Sequence, residues 1–284
     1  SIEWRAACFA MICHHCGLRY VEFFPNAKQE NLLIGMIHAF GVMGVSRYVL
    51  TDNMKSVVID RNAFGEPIWN INYSQFMEDI GFKTKLCKPC HPFTKGQVER
   101  LVRFVKENFL VGRVFLNVTD LNNKALKWCD EKNALYHKEL NLIPIKEHFL
   151  EAPLKKLPDP SFYIPYLCPE RAVSFDGYID YEGRRFGVPY SYLNKKVRVS
   201  RKDEKLLIYD LQCSEVLVTH QVTWSKKPTQ CEGQWSFTAQ EPEEFPTAPI
   251  KTKVTVLAEK AEEDDSFNRF LFEDMEDVKN ANRD

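Results

Sequence analysis

Five prolines fall within seventeen residues, at positions 153, 158, 160, 165 and 169. A proline nitrogen has no hydrogen to donate, and its ring clashes with the preceding helical turn. The stretch therefore predicts a linker that sustains neither a helix nor a central strand, and it divides the chain. A length of 284 residues suits two domains and suffices to bury a core without disulfides. The divisions expected are 1–152, a linker over 153–170, a β-rich segment over 171–224 and an acidic tail over 225–284.

Ahead of the prolines the pattern alternates. The apolar runs Ala6–Cys13 and Leu18–Phe24, separated by His14-His15-Cys16-Gly17, read as paired strands. Asn26 with Gln29 suggests a helix cap. Leu32, Leu33, Met36, Ile37 and Phe40 follow at helical spacing, with Gly41 and Gly44 as stops. Arg47–Thr51 is a short buried strand ending on Asp52. Tyr73, Phe76, Met77 and Ile80 mark a second helix closed by Gly81. Lys83–Lys88 is strand-like. Thr94 and Gln97 form a capping box ahead of Val98, Leu101, Val102, Val105 and Phe109, and 119–138 is one more helix. The alternation predicts an α/β fold.

Behind the prolines, turn signals at Asp176-Gly177, Glu182-Gly183, Lys202–Glu204 and Gln212–Ser214 punctuate five or six short strands, the pattern of a small barrel or sandwich. Residues 225–284 show little periodicity and read as extended or disordered.

The net charge of −1 conceals an asymmetry. Lys83–Arg113 carries eight basic and two acidic residues, whereas Glu259–Asp284 carries ten acidic and four basic ones. Nine scattered cysteines suit reduced thiols in a cytoplasmic protein. No apolar run reaches the length of a membrane span.

Asp52 and Glu99 are the informative acids. Asp52 ends a buried strand, where a crevice opens in α/β sheets. Glu99 sits in the second turn of the capped helix, flanking its apolar side. Two carboxylates among Lys and Arg could hold Mg²⁺ (or Mn²⁺) against phosphate, since Mg²⁺ takes one or two carboxylates and leaves positions for phosphate and water. On spacing alone, a solvated Asp and a surface Glu paired with Arg103 is the commoner arrangement.

Three strings carry a resemblance: Tyr20-Val-Glu-Phe-Phe24, Leu50-Thr-Asp-Asn-Met-Lys55 and Pro89-Cys-His-Pro-Phe-Thr-Lys-Gly-Gln-Val-Glu-Arg100. In this order they resemble the catalytic core of bacterial insertion-sequence transposases of the IstA type, in the retroviral-integrase-like DDE superfamily. Tyr181-Glu-Gly-Arg-Arg-Phe-Gly-Val-Pro189 resembles the small C-terminal barrel of the same proteins.

The resemblance implies an RNase H-like core followed by that barrel and the irregular acidic tail. It puts the family's second and third acids on Asp52 and Glu99 as catalytic and Mg²⁺-binding residues. It also implies DNA contacts by Lys55, Lys95, Arg100, Arg103 and Lys106, and the implied partners are element ends and target DNA. The reaction expected is end hydrolysis, then attack of the freed 3′-OH on target DNA. An AAA+ ATPase helper, a homo-multimer on DNA, no membrane association and a bacterial cytoplasmic location follow as further expectations. No Asp precedes Asp52. The opening strand and first acid of the family are therefore expected to be missing, leaving the chain catalytically dead or nearly so. The alternative is a non-catalytic DNA-binding or assembly remnant.

Two other patterns invite a metal. Cys87-Lys-Pro-Cys90-His91 matches a haem-attachment string but lies inside the transposase-like block, and we read it as accidental. Cys8, Cys13, His14, His15 and Cys16 fit no standard zinc-finger spacing and read as structural thiols.

Overall fold

The computed structural model describes residues 3–87, 96–151, 154–223, 225–235 and 272–279. The chain opens with β1 (Glu3–Ile12) and β2 (Arg19–Phe24), paired antiparallel from Ala7 opposite Phe24 to Ile12 opposite Arg19. Helix α1 (Gln29–Met43) follows, then β3 (Tyr48–Thr51), the hairpin β4 (Val58–Arg61) and β5 (Pro67–Trp69), and α2 (Ile71–Ile80). Strand β6 (Lys83–Leu86) returns parallel to β3. Next come α3 (Gly96–Phe104), which widens into a π-helical turn over Val105–Leu110, and α4 (Val118–Ala134), α5 (Pro144–Glu151) and α6 (Pro160–Leu167).

The first two strands are apolar at nearly every position because both sheet faces are covered. Successive side chains point to opposite faces. Ala7 and Phe9 join Leu33, Ile37 and Phe40 of α1, whereas Cys8 and Ala10, with Val21 and Phe23 of β2, join Leu101, Val105, Phe109 and Trp128. Gly35 lets α1 approach: a Cβ there would lie 2.8 Å from Phe9 Cγ.

The β-rich part contains β7 (Glu170–Ala172), β8 (Tyr178–Tyr181), β9 (Arg184–Gly187), β10 (Lys196–Lys202), β11 (Lys205–Tyr209) and β12 (Val216–Gln221). An antiparallel sheet in the order β12-β11-β10-β7 and the β8–β9 hairpin share a core of Ile179, Phe186, Val197, Val199, Leu206 and Ile208. The turn residues lie where the sequence puts them. Glu182 and Gly183 both take positive φ, as a two-residue hairpin turn of this type requires. Arg171 of β7 bonds both carboxylate oxygens of Glu30 in α1, at 2.9 and 2.6 Å, joining the β-rich part to the helical one.

Four local expectations are corrected. The proline-rich segment contains a helix, α6. Pro160 occupies its first turn, where no amide hydrogen is needed, Asp159 Oδ1 accepts from Ser161 N at 3.0 Å, and Pro165 is accommodated near the end of a short helix. Ahead of α6, Val45 and Lys155 exchange backbone hydrogen bonds, so the segment is fastened to the α/β part. Asn26 is not the cap of α1: Lys28 holds that position without a side-chain bond, and Asn26 Oδ1 instead accepts from Lys28 N and Asn31 Nδ2. Gly41 lies inside α1 rather than ending it, and Gly44, at φ +74°, is the stop.

Gln234 is buried against the β8–β9 hairpin, where its Nε2 donates to Gly177 O, and β13 (Phe272–Lys279) pairs antiparallel with β1. Burial and long-range pairing supply what local periodicity lacks. Thr94, and with it any capping bond to Gln97, lies outside the described residues, as do Lys95, Cys90 and His91. Among the described residues no helix is long and apolar enough to cross a membrane.

Candidate functional site

Parallel β3 ends at Thr51, and Asp52 follows at the strand's carboxyl end, half-buried. Its Oδ1 accepts from Asn53 N at 2.8 Å. A cleft of about 370 Å³ opens beside it, between the end of β1 (Ala10–Ile12), β3, and the last turn of α1 at Phe40 and Met43. Gln97 and Val98, in the first turn of α3, line the opposite side, and Gln97 Nε2 donates to His14 O at 3.2 Å. The cleft is mostly apolar, with a polar rim of Asp52, Gln97 and the Cys13–His15 turn. Thr51 Oγ1 is buried with no hydrogen-bond partner among the described residues, a cost of about 1–3 kcal/mol unless something in the cleft serves it.

Glu99 lies one residue beyond this lining. It is exposed, on the flank of a helix whose Leu101 and Val102 are buried. The sequence-derived acids thus come from elements that face one cleft, but only Asp52 lines it. Lys55, Arg100, Arg103 and Lys106 are exposed, and Arg100 Nε donates to Gly96 O at 2.9 Å. Among the described residues the cluster of three ligand-bearing side chains is Cys13, Cys16 and His148.

In that thiol cluster, Cys16 Sγ lies 3.3 Å from His148 Nδ1. The hydrogen bond between the two thiols favours thiolate on Cys13 and holds the proton on Cys16, so the Cys13 pKa moves down and that of Cys16 moves up. Sequence reasoning singled out the two cysteines but not His148, which no local spacing connects to them.

The Mu transposase C-terminal domain family matches residues 157–231. The transposase for insertion sequence element IS21 of Pseudomonas aeruginosa is 31% identical over 228 residues, covering 76% of this chain and 57% of that protein. The chain is a homologue of insertion-sequence transposases of the IS21 type. A Geobacillus stearothermophilus protein assigned as the transposase of element IS5376 is 30% identical over 199 residues, 70% of this chain and 49% of its own length. An IS21-like transposase of Bacteroides fragilis is 28% identical and covers 78% of this chain and 44% of its own length. The chain thus spans about half the length of the curated transposases it matches. A chain in the cryo-EM structure of the simian T-cell lymphotropic virus intasome in complex with PP2A regulatory subunit B56 gamma aligns with 77% of this chain, at a TM-score of 0.34 and 12% identity, too distant to support a fold assignment. In this transposase homologue the mixed α/β architecture agrees with the expectation from sequence.

Proposed function

We propose that this chain is the part of an insertion-sequence transposase that engages DNA around the Asp52 cleft and serves DNA transposition. On this reading the α/β part is an RNase H-like core and β7–β12 form its small barrel. The whole reaction would be hydrolysis at element ends followed by attack of the freed 3′-OH on target DNA. The observation that carries the reading is 31% identity to a named transposase over 76% of the chain. The placement of Asp52 supports it, since the carboxyl end of a parallel strand is where α/β sheets open a ligand crevice.

Lys55, Arg100, Arg103 and Lys106, with Lys95, would meet phosphate oxygens, and assembly into a multimer on DNA and recruitment of an AAA+ ATPase belong to the same reading. Asp52 and Glu99 would be the acids nearest the reacting phosphate. Asp52 and Glu99 would hold Mg²⁺ or Mn²⁺, with phosphate and water oxygens in the remaining positions, and the ion would supply charge stabilisation at the reacting phosphate. The exposure of Glu99 outside the cleft lining favours a second reading, in which this chain binds DNA or joins transposase assemblies without chemistry of its own.

The test is fluorescence anisotropy of a labelled DNA duplex titrated with the full chain across a salt series. Five phosphate contacts give a slope of log K against log salt of about −4.5, and Arg103→Ala brings it to about −3.6. Absence of binding at low salt, or binding indifferent to salt, refutes the proposal. A strand-transfer assay with Mn²⁺ separates the two readings: activity abolished by Glu99→Gln with binding intact selects the enzyme, and no activity with intact binding selects the assembly component.

A further inference from the structure

The turn between β1 and β2 reads Cys13-His14-His15-Cys16-Gly17. Gly17, at φ +73°, occupies the left-handed region that glycine enters freely. Its N–H donates to Cys13 O at 2.9 Å, and Cys13 N donates to Leu18 O at 2.8 Å, so the turn is closed by backbone bonds and both thiols are held at its mouth. Helix α5 brings His148 to them from 132 residues away. The Sγ atoms of Cys13 and Cys16 and a ring nitrogen of His148 all lie within 4.8 Å of one another, and Cys16 Sγ is 3.3 Å from Nδ1.

The other ring nitrogen decides the chemistry. His148 Nε2 lies 2.7 Å from Met43 O. A carbonyl only accepts, so in the neutral ring Nε2 carries the hydrogen and Nδ1 presents its lone pair to the sulfurs. A ligand histidine needs this arrangement, in which a backbone carbonyl on the far nitrogen fixes tautomer and ring orientation. Tetrahedral Zn²⁺, with bonds of about 2.3 Å to sulfur and 2.0–2.1 Å to nitrogen, sets its ligand atoms roughly 3.5–3.8 Å apart. The observed separation needs only a small adjustment to admit the ion.

We propose that Cys13, Cys16 and His148 form a binding site for Zn²⁺ that fastens the β1–β2 turn to α5. Two thiolates and one neutral imidazole balance the dication, which suits a site where Cys16 and His148 are buried. Binding displaces the thiol hydrogens to solvent as protons. Soft sulfur ligands select Zn²⁺ over Mg²⁺, so this centre is chemically separate from the acids at Asp52 and Glu99. Cys13, His14, His15 and His148 all line the cleft that holds Asp52. The fourth coordination position therefore opens toward the cleft, for water or an imidazole of the turn. Gln97 reaches the same turn through His14 O, so the ion would brace the cleft wall on which α3 rests.

The test is Co²⁺ titration of the full chain, purified under reducing conditions and stripped of metal. One equivalent should give a thiolate-to-cobalt charge-transfer band and tetrahedral visible bands, all bleached by Zn²⁺. Cys13→Ser and Cys16→Ser should each remove about half of the charge-transfer intensity and weaken Co²⁺ binding by more than the 10–100-fold typical of losing an outer-sphere partner. Cys213→Ser, in the β11–β12 turn, should leave the spectrum unchanged. A second measurement covers variants that fail to fold: in the unaltered chain Zn²⁺ should protect Cys13 and Cys16, but not Cys213, from alkylation mapped by mass spectrometry. No charge-transfer band, a band unchanged in both serine variants, or equal alkylation of all three thiols with Zn²⁺ present overturns the proposal.

Discussion

Two glycines of α1 make opposite predictions for the same substitution. Alanine in a helix interior is favoured over glycine by about 0.8–1.0 kcal/mol. At Gly41 the nearest atom to a new Cβ is Leu157 Cδ1 at 3.8 Å, an ordinary contact, so Gly41→Ala should stabilise by about 0.5–1 kcal/mol. At Gly35 the Cβ would meet Phe9 Cγ at 2.8 Å, Phe9 Cδ2 at 3.0 Å and Phe24 Cε2 at 3.1 Å. Phe9 is fully buried and cannot swing away, so overpacking costs about 1–3 kcal/mol and offsets the helical gain. The two variants should therefore differ by roughly 1–3 kcal/mol, or about 2–12 °C in Tm for a domain of this size. Urea and thermal unfolding followed by far-ultraviolet circular dichroism measure the gap. If Gly35→Ala proves as stable as Gly41→Ala, then α1 does not press on β1 as described, and the two-sided burial of the first strands is wrong.

Other contacts can be tested in the same way. A double-mutant cycle on Glu30 and Arg171 should return a coupling of about 1 kcal/mol, at the upper end for a surface pair because Arg171 Nη2 meets both carboxylate oxygens and the contact is partly buried; zero coupling would show that it does not tie the β-rich part to α1. Burial lowers the His38 pKa, but the hydrogen bond and charge of Glu22 outweigh it, and the net shift is upward. This pair's stabilisation should be fully present below the unfolded histidine pKa, about 6.5, and be lost as pH rises through the raised folded value. Because His38 is 43% exposed the effect is small, and Glu22→Gln should flatten this part of the Tm–pH profile; an unchanged profile would refute it.

The legible part of the site was the part written in contiguous residues. Asp52 could be placed because a short apolar run stops there, and α3 because Leu101, Val102 and Val105 recur at helical spacing. That Glu99 flanks the cleft instead of lining it depends on how α3 rotates as it packs against β1, and spacing along one helix does not contain that rotation. The thiol cluster shows the same limit: the sequence displayed Cys13 and Cys16 beside His14 and His15 in one turn, but not that His148 would join the two thiols, because it arrives on another helix.

Local chemistry alone determined that strands flank the Cys13–Gly17 turn, that α2 ends at Gly81, with φ +84°, and that Glu182-Gly183 reverses the chain. These outcomes depend on side-chain period and on which residues tolerate positive φ, both of which are properties of neighbours in sequence. Tertiary packing alone decided that α6 forms among prolines and lies on α1 and α2, that β13 pairs with β1, and that His148 reaches the turn with its Nε2 hydrogen turned to Met43. Periodicity states which face of an element is apolar, whereas the identity of what covers that face is fixed only when the whole chain closes on itself.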